Sequence, residues 1–186
     1  MTRLTIEHLS LEGLKMITRH RHGDSRGFFS RIFCAEELII AGWNKPIAQI
    51  NHTFTPKKGT VRGMHFQNPP YSEMKLVTCL HGEIYDVAVD LRQDSPTFLS
   101  WHGEILSADN NRAMLIPEGF AHGFQSLTDD VKLLYCHSAP YAASFEGGVR
   151  PTDPLLAIPW PLEIAMLSDR DSSHSLLKES FTGILL

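Results

Sequence analysis

The sequence predicts an all-β fold with short peripheral helices, and three observations point there. Apolar stretches of strand length recur at roughly 8–12 residue spacing, punctuated by Gly, Pro, Asp and Asn, as in sandwiches and barrels. The chain has 186 residues, 42% hydrophobic and 20% charged, enough for one domain with a substantial core and short for two. No low-complexity tract, fixed-period repeat or long Pro/Gly/Ser linker divides it. A single domain over 1–186 is therefore the expectation.

Taken in order, "LEGLKMITRHRH" (11–22) reads as a strand and "GDSRG" (23–27) as a turn. "RGFFSRIFC" (26–34) predicts a second strand, and "AEELIIAGW" (35–43) a short helix ending near Gly42. "AQINHTFT" (48–55) alternates, and "GTVRGMHF" (59–66) follows it. "KLVTCLHGEIYDVAVDLR" (75–92) reads as a hairpin turning at His81-Gly82. "FLSWHGEILS", "NRAMLIPEGFAHGFQSLT" and "VKLLYCHSAPYA" continue the pattern. Beyond "IPWP" (158–161) the tail turns polar, with a short helix expected around Ser175–Ser180.

Several function classes are excluded early. A net charge of -4 and a pI near 6.2 argue against nucleic acid or anionic membrane as partner, while leaving room for a local basic pocket. Cys34, Cys79 and Cys136 are odd in number and form no CxxC, so no disulfide framework is expected. "MTRLTIEHLSLEGLKM" lacks the continuous apolar core of a signal peptide, and no run approaches the roughly 20 apolar residues of a membrane helix. A cytoplasmic protein is expected.

Two spacings resemble those of metal cupins. Gly59 precedes His65 by the cupin interval, and Pro117, Gly119 and His122 reproduce the later Pro-x-Gly-x-x-His. This resemblance implies a cupin-type double-stranded β-helix, or jelly roll, with a site in its funnel-shaped interior. The metal is not expected to accompany it. Gln67 stands where the second histidine of a metal cupin falls, and Glu73 lies near, not at, the carboxylate offset. Glutamine is a poor transition-metal ligand, and two imidazoles fall short of three protein ligands. His20 and His22 of "HRH" read as a solvated strand end.

What remains is a set of polar residues inside apolar runs: His65, His122, Arg62, Lys75, Tyr135 and Asp171. Buried without partners, each would cost about 2 kcal/mol or more. Singly, each has a structural reading: a hydrogen-bonded core histidine, a core tyrosine ring, a strand-end lysine. Together they are hard to explain without a ligand.

The segments "VRGMHFQ", "KLV", "GEIYDVAVDLR", "SPTF", "LIPEGFAHGF", "LLY" and "LSDRD" resemble the dTDP-4-dehydrorhamnose 3,5-epimerase family, over a span from "GDSRGFF" to Asp171. The resemblance implies a nucleotide-diphosphate 4-keto-6-deoxy sugar as substrate, inverted at the carbons flanking the ketone. Each inversion needs a base on one face, an acid on the other and a donor at the enolate oxygen. By matching motif, His65 is the base oriented by Asp171, Tyr135 the acid and Lys75 the enolate stabiliser. No redox cofactor or metal is implied, since the ketone is already present.

The same resemblance gives Arg62 and Arg26 phosphate or sugar contacts, His122 a place near the sugar, and Gln49 and Asn51 the nucleotide side. Tyr141 matches the ring that stacks on the base, Phe28 offers a second face, and Glu146 and Arg170 fall at further contact positions. It also implies a homodimer in which Arg26 and Phe28 reach across the interface.

Two positions depart from the family. Arg31 stands where glutamate is usual, and Pro151 where tryptophan is common. A donor at position 31 would suit cytosine N3 and an acceptor thymine N3–H, so Arg31 opens a CDP-linked substrate as an alternative. A single-site epimerase on another nucleotide sugar, a 3,4-ketoisomerase and a non-catalytic sugar-nucleotide-binding cupin are further alternatives. A metal cupin oxygenase is disfavoured by Gln67.

Overall fold

The computed structural model describes residues 3–186; the first two residues of the N-terminal stretch discussed above lie outside the described residues. In chain order the strands begin with β1 (Leu4–His8), β2 (Lys15–Arg19), β3 (Arg21–Asp24) and β4 (Gly27–Ser30). Helix α1 (Ala35–Leu38) and a 3-10 turn (Ile39–Ala41) follow. Next come β5 (Gln49–Thr55), β6 (Val61–Gln67), β7 (Lys75–His81) and β8 (Glu83–Asp90). The second half holds β9 (Trp101–Ser107), β10 (Arg112–Ile116), β11 (Phe120–Ser126), β12 (Val131–His137), β13 (Glu146–Gly148) and helix α2 (Asp169–Ser173).

The strands form two large antiparallel sheets, ordered β1-β2-β10-β7-β12-β5 and β13-β6-β11-β8-β9, with β3-β4 as a separate hairpin. This is the expected jelly roll. Between the sheets lies a core that includes Leu14, Met16, Val77, Ile84, Met114, Ile116, Phe124 and Leu133. Outside the six-stranded sheet, Leu38, Ala41 and Trp43 of the α1 region pack on Ile17, Leu76, Ala113 and Leu115. Gly42, at φ 103, ends the turn in the left-handed conformation glycine tolerates. Outside the five-stranded sheet, Leu156, Ile158 and Ile184 cover Val87, Val89 and Leu91.

Three expectations need correction. The run 75–92 is not a hairpin: β7 pairs with β10 and β12, whereas β8 pairs with β9 and β11. The chain crosses between sheets at Gly82, where φ is 76 and a Cβ would sit 2.5 Å from Thr128 Oγ1. A glycine between two buried strands has the same signature whether the chain folds back or turns a corner. The second strand stops at Ser30 rather than running on to Cys34. In the tail, the short helix lies at Asp169–Ser173 rather than 175–180, because Ser168 caps it by accepting from the Asp171 amide at 3.0 Å.

Candidate active site

The pairing of β6 with β11 builds one wall of the site. His65 and His122 are direct cross-strand partners, and the register shifts between His122 and Phe124. The strands approach closely there because both carry glycine: a Cβ on Gly63 would lie 2.5 Å from the Gly123 Cα. His65 Nε2 lies 2.7 Å from Asp171 Oδ1, and the Gly63 amide donates to Asp171 Oδ2 at 3.2 Å. The Ser168 cap thus has a second effect, since it fixes the backbone that presents Asp171 to the imidazole. On the same sheet, His122 Nε2 lies 2.7 Å from Asp86 Oδ1 on β8, and both residues are buried.

The facing wall comes from β5, β7 and β12. Alternation along β12 turns Tyr135 and His137 to the same side, and their rings lie nearly parallel, 5.9 Å apart at the centroids. Lys75 Nζ donates to the His65 carbonyl at 3.0 Å and sits 3.2 Å from Glu73. Glu73 also receives His137 Nδ1 at 2.8 Å. The enclosed cavity, about 220 Å³, is lined by Gln49, Asn51, Arg62, His65, Lys75, His122, Tyr135, Tyr141 and Glu146 among the sequence-expected residues. A second cavity of about 560 Å³ shares Arg62 and His65 and extends to Arg170 and Asp171. At the mouth, Tyr141 Oη donates to Glu146 Oε2 at 2.7 Å, and Arg170 forms an ion pair with Glu146.

Three expected residues line neither of these two cavities. Arg26 is engaged by Asp24 within the β3–β4 hairpin, and Phe28 lies under the Arg21 guanidinium, 4.2 Å from ring centroid to carbon. Arg31 forms an ion pair with Glu37, which also accepts from the Arg3 and Leu4 amides. Conversely, the cavity holds Thr53, Glu73, Phe124 and His137, which sequence reasoning did not select as site residues. His137 was within reach of it, two residues beyond Tyr135 on the same strand face. Glu73 had been weighed only as a metal ligand. His174 was also missed: its ring stands edge-on to His65, 6.1 Å between centroids. Candidate ligand atoms of His65, Asp171 and His174 lie within 4.8 Å of one another, but two of these groups are already bonded to each other.

The electrostatics suit proton transfer. Burial pushes the Asp171 carboxyl up, but the His65 imidazole and the Gly63 and Ser168 bonds outweigh it and hold it below the usual carboxylate range. Glu73 behaves alike: burial raises it, and His137 and Lys75 bring it below the usual value. Burial, aided by the Asp86 charge, drives the Tyr135 phenol far up, so it keeps its proton at neutral pH. Burial and the neighbouring His65 lower His174.

A jelly roll whose interior carries imidazole–carboxylate pairs, a protonated phenol and a buried lysine is a proton-transfer enzyme by construction. The comparisons narrow the class. Residues 8–179 match the family model described as dTDP-4-dehydrorhamnose 3,5-epimerase. A dTDP-4-dehydrorhamnose 3,5-epimerase of Sinorhizobium fredii is 38% identical over 174 residues, covering 93% of this chain and 89% of the relative. A dTDP-4-dehydrorhamnose 3-epimerase of Streptomyces niveus is 38% identical over 98% of this chain and 88% of its own length. The crystal structure of the Bacillus anthracis 3,5-epimerase, with TDP and PPi bound, superposes with a TM-score of 0.90 at 41% identity, over 94% of this chain and 99% of that one. The chain belongs to the dTDP-4-dehydrorhamnose 3,5-epimerase family, and it is an epimerase of nucleotide-linked 4-keto-6-deoxy sugars.

Proposed function

We propose that His65, with Asp171 behind it, is the base of this epimerase and that Tyr135 is the acid on the opposite face. The observation that carries this reading is that His65 on β6, bonded to Asp171 of α2, lines one cavity with Tyr135 of β12 and Lys75 of β7. Since Nε2 is bonded to Asp171, Nδ1 of His65 is the atom that takes a proton from the carbon beside the ketone. The electron pair moves into the enolate, whose oxygen Lys75 stabilises; a charge in a dry site is worth several kcal/mol of barrier. Tyr135 then delivers its phenolic proton to the other face, and the ketone re-forms with the carbon inverted.

Binding falls to the rest of the set. Arg62 lines both cavities and is suited to the diphosphate, with His122 beside the sugar and Gln49 and Asn51 towards the nucleotide. Tyr141, 56% exposed at the mouth, offers its face to the base, with Glu146 and Arg170 holding its hydroxyl end. The nucleotide we assign is dTDP: Arg31 is paired with Glu37 and lines neither cavity, so it is not placed to select cytosine.

We further infer a homodimer of one-domain chains acting in the cytoplasm. Strand β5 is a sheet edge with Ile50 and Phe54 exposed, and Phe28 and Phe29 project separately from the β3–β4 hairpin, each 60% exposed. Such an edge favours pairing with a second copy, which would bring Arg26 and Phe28 to the partner's cavity. Cys34, Cys79 and Cys136 are all free thiols, as a reducing compartment requires. The test of function is conversion of dTDP-4-dehydro-6-deoxyglucose, followed by proton NMR of the sugar ring. The inverted 4-dehydrorhamnose should appear without added nicotinamide. Recovery of the starting configuration alone would refute the reading.

A further inference from the structure

Glu73 and His137 repeat, on the opposite wall, the arrangement of Asp171 and His65. The imidazole–carboxylate separations are 2.8 and 2.7 Å. His65 belongs to the five-stranded sheet and His137 to the six-stranded one, and both line the cavity between them. We propose that Glu73 and His137 form a second acid–base dyad, serving one of the two carbons flanking the ketone on the face opposite His65. This rests on the reading of His65 as base given above.

The hydrogen bonds set the reactive atom. The Tyr141 amide donates to Gln49 Oε1 at 3.0 Å, which turns Gln49 Nε2 to Asn51 Oδ1 at 3.0 Å. That in turn points Asn51 Nδ2 at His137 Nε2, 3.3 Å away. His137 therefore carries its hydrogen on Nδ1, towards Glu73, and its Nε2 lone pair accepts from Asn51 at the cavity wall, a long bond that substrate must displace for Nε2 to reach carbon. Glu73 is an anion with its side chain only 10% exposed, so a positive charge arising on His137 meets a fixed partner.

Chemistry gives this dyad a task. A double epimerase must handle two carbons on the face opposite its base, and Tyr135 brings a single phenolic proton. His137 lies beside that phenol, ring against ring. In one direction Nε2 takes the hydrogen from carbon, the electron pair enters the enolate next to Lys75, and His65 returns a proton on the other face. The reverse stroke has His65 as base and the His137 imidazolium as donor. Between turnovers the two imidazoles re-equilibrate with water, and nothing is oxidised or reduced.

The test is inversion of, and deuterium incorporation from heavy water into, dTDP-4-dehydro-6-deoxyglucose, resolved by NMR at each flanking carbon. Wild type, His137→Asn, Glu73→Gln and His65→Asn are compared. His137→Asn and Glu73→Gln should each slow net inversion at one carbon about tenfold or more, with exchange through His65 persisting there, while inversion at the other carbon changes less than about twofold. Equal slowing of inversion at both carbons, no slowing, or wild-type exchange at a single carbon would overturn the proposal. If His137→Asn does not fold, His137→Gln takes its place; Glu73→Gln also removes the partner of Lys75, so it is read only as the ratio between the two carbons. His65→Asn separates the two readings: full exchange there would sink the base assignment, while the carbon ratio in the other variants still judges the dyad.

Discussion

At the residue scale, Tyr135 is the sharpest case of environment setting chemistry. Its phenol is buried against His122 and His137, and that burial keeps the proton on oxygen until an enolate needs it. Tyr135→Phe should therefore still lose hydrogen to His65 but regain it on the same face. Deuterium wash-in would outlast net inversion by about tenfold or more, measured as the ratio of the two rates in one NMR experiment. Loss of both in equal measure would make Tyr135 a positioning residue only. His65, Lys75 and Tyr135 could be picked out in the sequence because each interrupts an apolar run, and Asp171 through the family resemblance of "LSDRD". Glu73 and His137 are weaker signals, because "SEMK" and "YCHSAP" lie at strand ends, where polar residues are ordinary, and only the spacing of two from Tyr135 marks His137. Only the β7–β12 pairing, which sets His137 opposite Lys75, brings them into the cavity.

At the scale of elements, the crossing of β6 and β11 is the most constrained feature. Gly63→Ala would set a methyl group 2.5 Å from the Gly123 Cα and 2.7 Å from the His122 carbonyl oxygen, at a φ of 125. Backbone must move on both strands, so the substitution should cost at least about 2 kcal/mol and displace both histidines. Urea unfolding together with turnover would measure it; a variant of unchanged stability would mean that the strands separate easily. The β3–β4 hairpin is bound differently. Arg31, Glu37 and the amides of Arg3 and Leu4 tie hairpin, α1 and β1 together, so Arg31→Ala should lower stability only slightly, as for an exposed ion pair. It should leave the preference for dTDP over CDP unchanged by calorimetric titration. A reversal would return Arg31 to the base-reading role. Most strands from β4 to β12 were readable from the sequence, because apolar runs and turn residues report them locally, whereas β1, β3 and β13, short and largely polar, were not. Which sheet a strand joined was not readable either: β7 and β8 are each buried almost throughout, so no alternation marks their faces.

At the scale of the whole molecule, buried carboxylates, two at the site and Asp90 at the end of β8, link stability to pH. Asp171, Glu73 and Asp90 all sit below their ordinary values in the folded chain. A depressed carboxyl contributes its full stability above the unfolded value, about 4, and loses it as pH falls through the folded value. The melting temperature should therefore hold steady from about pH 7 to 5 and fall below about pH 4. Glu73→Gln and Asp171→Asn together should lower the plateau and flatten that fall, as calorimetric scans across pH would show. Assembly can be checked separately: sedimentation should find two chains per particle, and a fully active monomer would remove the shared-site reading of Arg26 and Phe28. The central claim is that this jelly roll epimerises a 4-keto sugar by proton transfer through His65. Its most direct test is the rate of inversion and deuterium uptake from heavy water by dTDP-4-dehydro-6-deoxyglucose, with wild type beside folded His65→Ala. Wild type should invert the sugar and label the carbons flanking the ketone, and His65→Ala should do both about a hundredfold more slowly or worse. An unlabelled substrate with wild type, or equal rates in the two proteins, would contradict the account.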